Sequence, residues 1–183
     1  MKVNYYSLLL VLLFSVITTS CGRHVTAEKE SAYIQLSTTD SVDGFALLEM
    51  LNNNGLSLIV YNDGYPTGHS SRGIYDLLTL INEQPKRLQG AVVADKITGK
   101  ASASILIAGG IRALFTNVIC SPAKQMLENA GVEVYCREEV PMIKNRAGNG
   151  QCPMDARLQN IESADEALEV LRDFSASISN SEQ

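Results

Sequence analysis

Two polar, glycine-containing segments hold the residues of this chain that could bind a ligand or carry out chemistry. In the first, Gly90 to Ala101, an apolar run leads into a turn with the candidate residues Asp95, Lys96, Gly99 and Lys100. The pattern predicts a buried strand followed by a helix, whose free N–H groups and dipole favour an anionic group. Asp95 and Lys100 could also serve as base and electrophile in a partly dry cleft. The alternative is that Asp95 caps the helix and pairs with a lysine.

The second segment, Asn145 to Pro153, combines Arg146, Gly148, Gly150 and Cys152. The Arg146 guanidinium could hold a carboxylate or phosphate through two hydrogen bonds, or lower the pKa of the Cys152 thiol and activate it. No histidine is positioned by the sequence to act as a base for Cys152, although a cysteine nucleophile usually has one. The alternative is a structural loop in which Cys152 packs as a small apolar residue and Arg146 pairs with an acid such as Asp155.

Weaker candidates precede two other predicted helices. Ser71 and Arg72 lie before a helix and could contact an anion, although a capped helix with a solvated arginine is the simpler interpretation. Ser121, followed by proline, predicts a helix N-cap.

Cys120 and Cys136 are predicted at the ends of successive strands, where they could form a disulfide if their Cα atoms come within about 7 Å. Buried free thiols are the alternative.

The N-terminus predicts export and a lipid anchor. Lys2 precedes an apolar run from Tyr5 to Ile17, which is too short to span a bilayer and typical of a secretory signal. The residues around Cys21 resemble the bacterial lipoprotein signal, in which the cysteine is lipidated and becomes the N-terminus. We therefore predict lipidation at Cys21 and a location in the bacterial cell envelope, facing the periplasm or exterior. An ordinary cleaved signal is the alternative, and residues 21–39 are predicted to form a flexible tether.

The rest of the chain is predicted to be one mildly acidic domain. The sequence has 183 residues, 15 Lys and Arg, 20 Asp and Glu, and a net charge of −5. It has no basic stripe interleaved with aromatic residues, which argues against nucleic-acid binding. Residues 40–177 suffice for a single core, and residues 178–183 are predicted to be a disordered tail.

Apolar periodicity and turn signals predict the order α-β-β-α-β-α-β-α-β-loop-α. Asp40 or Ser41 is predicted to cap the first helix, and Asn62-Asp63-Gly64 predicts a hairpin turn. Ser163 to Glu166 is a capping box for the last helix. A hairpin followed by β-α-β units implies a three-layer α/β/α fold with a mixed sheet of about five strands.

This order and its motifs resemble a family of domains of unknown function, DUF 1893, from Phe45 to Phe174. The most specific pieces are Ser71 to Ile74, Gly90 to Ala101 and Asn145 to Met154. The resemblance implies a fold like that of the cytidine deaminases and no established activity.

The zinc ligands of such deaminases can be sought by position. Those enzymes place a His or Cys at the start of a central helix and a P-C-x-x-C at the next helix start, with a glutamate that moves protons. Here Pro122 to Met126 contains no cysteine, and residues 95–103 contain no His, Cys or Glu. Because zinc needs three or four ligands close together, we predict no zinc site, no other cofactor and no zinc-dependent deaminase activity.

The sequence therefore predicts a lipid-anchored domain that binds a small polar or anionic metabolite, with membrane contact through the anchor only. One alternative is a metal-independent enzyme that uses Cys152 or the Asp95/Lys100 pair. The other is a protein-interaction module in which the cleft is vestigial.

Overall fold

A computed structural model of the protein describes residues 42–71 and 73–181. The predicted signal, Cys21, the predicted tether and Arg72 lie outside the described residues. The helices and strands in chain order are α1 Gly44–Asn53, β1 Leu58–Asn62, β2 Tyr65–His69, α2 Tyr75–Glu83, a 3-10 turn Pro85–Arg87, β3 Val92–Thr98, α3 Lys100–Ala108, β4 Ala113–Cys120, α4 Ser121–Asn129, β5 Glu133–Val140, α5 Pro153–Arg157 and α6 Ala164–Ser181.

The strands form one mixed sheet of five in the order β2-β1-β3-β4-β5, which confirms the predicted fold class. β1 is antiparallel to β2 and β3, whereas β3, β4 and β5 are parallel. The hairpin turns at Asp63 and Gly64, whose φ angles are 52° and 82°. Two left-handed residues in a two-residue turn match the twist of a β-hairpin, so the predicted turn is confirmed.

Helices cover both faces of the sheet. The larger core lies between the sheet and α2, α3, α4 and α6, and α3 packs at its centre with the fully buried Ala103 and Ser104. Small residues let α3 approach the strands closely. The smaller core lies under α1, where Leu47, Leu48 and Leu51 are fully buried. Within the described ranges, no helix is long and apolar enough to cross a bilayer.

Several local predictions were wrong. α1 is capped by Asp43, whose carboxylate accepts hydrogen bonds from Phe45 N and Ala46 N, rather than by Asp40 or Ser41. Cys120 occupies the N-cap position of α4, so Ser121 is the first residue of the helix instead of its cap. α6 runs from Ala164 to Ser181.

β5 is longer than predicted and places Cys136 in mid-strand. Cys136 is paired with Thr116, whereas Cys120 is paired with Val140, so the two cysteines are not side by side. Both are free thiols, as is Cys152. The charged end of β5 stays in the sheet because its side chains find partners on helices, as Glu139 does with Lys124 at 2.8 Å.

Candidate functional site

The candidate site lies where β3 and β4 end at the same edge of the sheet. β3 is followed at once by α3, and β4 by α4, so both helices begin at this edge. In open α/β sheets, ligands bind at the carboxyl ends of parallel strands, and helix N-termini there offer free N–H groups. The segment between β5 and α6 forms another side of the site, because some of its residues line the same cavity as Lys100 and Cys120.

Asp155, on α5, caps helix α3. Its Oδ1 accepts a hydrogen bond from Ala101 N at 3.1 Å, and the residue is 4% exposed. Burial raises the pKa of Asp155 above its ordinary value, although the N–H groups of Ala101 and Lys100 and the Lys100 charge oppose this. The N-cap residue Gly99 has no side chain, and a methyl group there would collide with the Asp155 carboxylate. A carboxylate of the protein thus occupies the position that the sequence suggested for an anionic ligand.

This contact also corrects the two structural alternatives from the sequence. Asp155 bonds to Ala101 N of α3, which is not the pairing with Arg146 considered there. Asp95 does not cap α3 either, since its carboxylate lies among other groups of β3. The sequence signal for Asp155 is weak because Ala101, whose N–H donates to it, lies 54 positions earlier.

Lys100 is the charged residue at the start of α3, and two cavities meet at its side chain. The small cavity, of about 110 Å³, lies between Lys100, Cys120, Asp155 and Gln159. A larger groove of about 540 Å³ runs between α3, α4 and the start of α6. Its polar lining consists of Lys100, Gln125, Asn129 and Glu162, and its apolar lining includes Ile107 and Met126. Lys100 Nζ donates a long hydrogen bond of 3.4 Å to Gln159 O.

Cys120 lines the small cavity, a role that the sequence analysis did not assign. Its side chain is 3% exposed. Burial raises the pKa of the thiol, the N–H of Ala123 at the start of α4 opposes this, and the charge of Asp155 adds to it. The thiol is therefore kept in its protonated form near neutral pH.

Asp95 lies below this site, buried in the sheet. Strict strand alternation would put Asp95 and Thr98 on opposite faces, yet Thr98 Oγ1 lies 2.9 Å from Asp95 Oδ2. Thr98 Oγ1 is also 3.1 Å from Thr116 Oγ1 on β4, and Ile97 N donates to Asp95 Oδ1 at 3.3 Å. Burial raises the pKa of Asp95 from 3.8 to about 7, against the hydrogen bonds from Thr98, Ile97 and Lys96. Asp95 lines neither the small cavity nor the groove.

Asp95 belongs to one row of paired residues that crosses all five strands. The row consists of His69, Leu58, Asp95, Thr116 and Cys136. Residues paired across neighbouring strands share a face, so these side chains lie on the same side of the sheet. His69 Nε2 is buried without a hydrogen-bond partner among the described residues. Burial lowers the pKa of His69, while Asp76 raises it and Arg87 lowers it further, so this imidazole is neutral at pH 7.

The second polar segment forms a small hairpin, in which Gln151 lines the small cavity. Lys144 and Gln151 pair as an antiparallel bridge, and Asn145 N donates to Gly150 O at 2.8 Å. Gly148 adopts a left-handed conformation with φ of 71° at the tip. Arg146 is exposed and Cys152 is half-buried, and neither lines the groove or the small cavity.

The candidate residues Lys96 and Ser71 are also outside the two cavities. Lys96 is exposed on β3. Ser71 follows β2, where its backbone N–H donates to Asp76 Oδ2 at 2.8 Å and its carbonyl accepts from Ser57 Oγ at 2.9 Å. Of the predicted site residues, the structure therefore brings Lys100 and Gly99 together at the α3 start.

Ala123 and Met126, where the sequence comparison sought zinc-binding cysteines, are fully buried and part of the groove lining, respectively. Over residues 42–71 and 73–181, no group of three His, Cys, Asp or Glu side chains is placed to hold a metal ion.

Comparison with known proteins identifies the family. The model of a domain of unknown function, DUF1893 (TM1506), matches residues 46–175, which is most of the chain. The chain belongs to the DUF1893 family. The crystal structure of a DUF1893 family protein (TM1506) from Thermotoga maritima is similar, with a TM-score of 0.67 and 20% identity over 80% of this chain and 99% of that one. The resemblance inferred from the motifs is therefore confirmed, and at this identity the likeness shows the fold alone.

Similarity to other proteins is weaker. Two crystal forms of Acinetobacter baumannii RibD match with a TM-score of 0.38 and 15% identity. The match covers 50% of this DUF1893 chain and 33% of RibD, and it carries no argument about activity. No curated protein sequence matches.

Proposed function

We propose that this DUF1893 domain binds a small polar metabolite with one anionic group in the groove beside Lys100. The observation that carries the proposal is the groove of about 540 Å³, in which a lysine ammonium meets amide and carboxylate side chains. This volume lies within the range of about 300–1,000 Å³ that small-molecule sites occupy.

The lining indicates the chemistry of the ligand. Among the described residues, Lys100 Nζ donates one long hydrogen bond, to Gln159 O at 3.4 Å, so a carboxylate or phosphate could compete for it. Gln125 and Asn129 can donate and accept hydrogen bonds. Glu162 places a negative charge in the same lining, which disfavours a ligand with several anionic groups. A ligand with one anionic group and further hydrogen-bonding groups fits best.

A thermal-shift screen of the purified protein with amino acids, hydroxy acids, nucleosides and sugar monophosphates tests the proposal. A ligand at a hundred times its dissociation constant should stabilise the fold by about 2.7 kcal/mol. We expect Lys100→Met to abolish the shift and Lys86→Met, at an exposed lysine outside the groove, to preserve it. Loss of the shift in Lys96→Met or Arg146→Met, but not in Lys100→Met, would move the site to the other predicted residues.

The screen also separates the alternatives. Turnover of a bound compound that is lost in Cys152→Ser or Asp95→Asn would favour the metal-independent enzyme. A blank screen with a cooperatively folded protein would favour the interaction module. Asp95 and Cys152 line neither cavity, so no observation favours the enzyme over simple binding.

We also propose that the domain is held at a membrane by lipids on Cys21. The support is the signal-like sequence that ends at this cysteine. In that arrangement the groove would face the compartment outside the cytoplasm, where it could capture a metabolite from the periplasm or exterior.

A further inference from the structure

We propose that Asp95 carries a proton in the folded domain and donates it to Thr98, which makes the stability of the domain fall as the pH rises toward neutrality. This role is independent of the ligand groove, because Asp95 lines neither that groove nor the small cavity.

The inference rests on how many protons are available to four oxygen atoms that lie in a row. Asp95 Oδ2, Thr98 Oγ1, Thr116 Oγ1 and Val118 O follow one another at 2.9, 3.1 and 3.0 Å. Each pair of oxygen atoms is within or close to hydrogen-bonding distance, and three simultaneous hydrogen bonds would need three protons. The two threonine hydroxyls bring one proton each, and a carbonyl oxygen brings none. A carboxylic acid at Asp95 supplies the third.

Thr98 Oγ1 can donate to the ionised carboxylate, whereas in the acid form the direction of that bond is reversed and every contact in the row has a proton. Asp95 Oδ2–H donates to Thr98, Thr98 donates to Thr116, and Thr116 donates to Val118 O. The other oxygen, Oδ1, accepts from Ile97 N at 3.3 Å, as the carbonyl oxygen of an acid would. If Asp95 is ionised, Thr98 must donate to it, and one of the remaining two contacts loses its proton. Asp95, Thr98 and Thr116 are all buried, so water cannot readily replace that bond.

No charged side chain compensates a buried carboxylate at this position. The titratable and charged groups on β1, β3 and β4 and on the helices α1 and α3 that pack against β3, in the part of the chain that the structure describes, are Glu49, Tyr61, Lys96, Lys100 and Cys120. None of their side chains contributes to the shift at Asp95, which burial dominates. His69, in the same row across the sheet, is separated from Asp95 by Leu58 and is neutral at pH 7.

The effect on stability follows from the difference between the pKa of Asp95 in the folded protein and its pKa in the unfolded chain. The pKa of Asp95 is about 7 in the folded protein, against an ordinary value of 3.8. Between these values the folded state binds more protons than the unfolded state, so stability is greatest at low pH and is lost as the pH rises to about 7. The unfolding equilibrium constant should rise by up to about a thousandfold across this window on account of Asp95 alone.

Asp95→Asn isolates this contribution, because its amide can donate to Thr98 while its oxygen still accepts from Ile97 N. Urea unfolding of the full chain is measured from pH 4.5 to 8.5 for the wild type and the variant. We expect the wild type to lose stability relative to the variant as the pH rises, so that the variant is the more stable protein at pH 8. Contributions from Asp155 and His69, which also have shifted pKa values, cancel in this comparison. Asp173→Asn, at an exposed aspartate of α6, should follow the wild type.

A second measurement needs no variant. In carboxyl-labelled protein, the ¹³C resonance of the Asp95 side chain should titrate near pH 7 while the domain stays folded. An Asp95 resonance that titrates near pH 4 would overturn the proposal, as would parallel pH dependences of the wild type and Asp95→Asn. If Asp95→Asn does not fold, the resonance alone decides.

Discussion

Gly99 and Asp155 are the residues that most directly determine how α3 starts. Gly99 has φ of −95°, a conformation open to any residue, so alanine there adds no backbone strain. The added methyl group would instead collide with the Asp155 carboxylate that caps the helix. We expect Gly99→Ala to lower the free energy of unfolding by about 2 kcal/mol, the usual cost of overpacking, as measured by urea denaturation.

A double-mutant cycle attributes this cost to the contact. Asp155→Ala removes both the cap and the obstacle, so Gly99→Ala should cost much less in that background than in the wild type. An interaction free energy of about 1 kcal/mol or more between the two positions is expected for residues in direct contact. Additive effects of the two substitutions would contradict the proposed contact.

Single residues also mark the limit of prediction from sequence. The turn after β3 was predicted with Lys100 at the start of a helix, and the structure places it there. The partner of that helix start was not predicted, because Asp155 is distant in the chain and reaches α3 only through tertiary folding. Asp95 was predicted in a turn beside a partly dry cleft, whereas β3 continues to Thr98 and buries Asp95 within the sheet.

Among the described helices, α1 stands apart because it alone covers the smaller core. Its N-cap, Asp43, accepts hydrogen bonds from Phe45 N at 2.9 Å and Ala46 N at 3.4 Å. We expect Asp43→Ala to reduce stability by about 1 kcal/mol, whereas Asp43→Asn, which caps equally well, should cost little. Urea unfolding measures the loss, and amide hydrogen exchange should show it as faster exchange in α1. An equal loss in both variants would contradict capping by the side-chain oxygen.

Element order was predicted well because most of these elements carry local signals. The Asn62-Asp63-Gly64 turn and the capping serine before α6, whose Oγ accepts from Glu166 N at 3.4 Å, both act within a few residues. β5 was predicted too short because its second half is charged. An edge strand needs only one hydrogen-bonded neighbour, and ion pairs with α1 and α4, including Arg137 with Glu49, accommodate its polar side chains.

For the molecule as a whole, the described domain and the predicted N-terminal signal would make separate contributions. The domain folds around two cores and carries the groove, whereas the sequence around Cys21 predicts where the protein is held. Because several acyl chains on one cysteine anchor a protein stably, while one chain binds only marginally, lipidation would keep the domain at the membrane permanently. The groove could then sample ligands only near that surface.

The anchor is tested with the full chain expressed in a bacterium that processes lipoproteins. We expect Cys21→Ser to move the protein from the membrane fraction to the soluble fraction and to abolish incorporation of a labelled fatty acid. Cys152→Ser removes another cysteine and should leave both unchanged. Fatty-acid labelling that persists in Cys21→Ser, or an unlabelled wild type, would contradict the anchor. Neither result would bear on the groove, since Lys100 and its surroundings lie entirely in the folded domain.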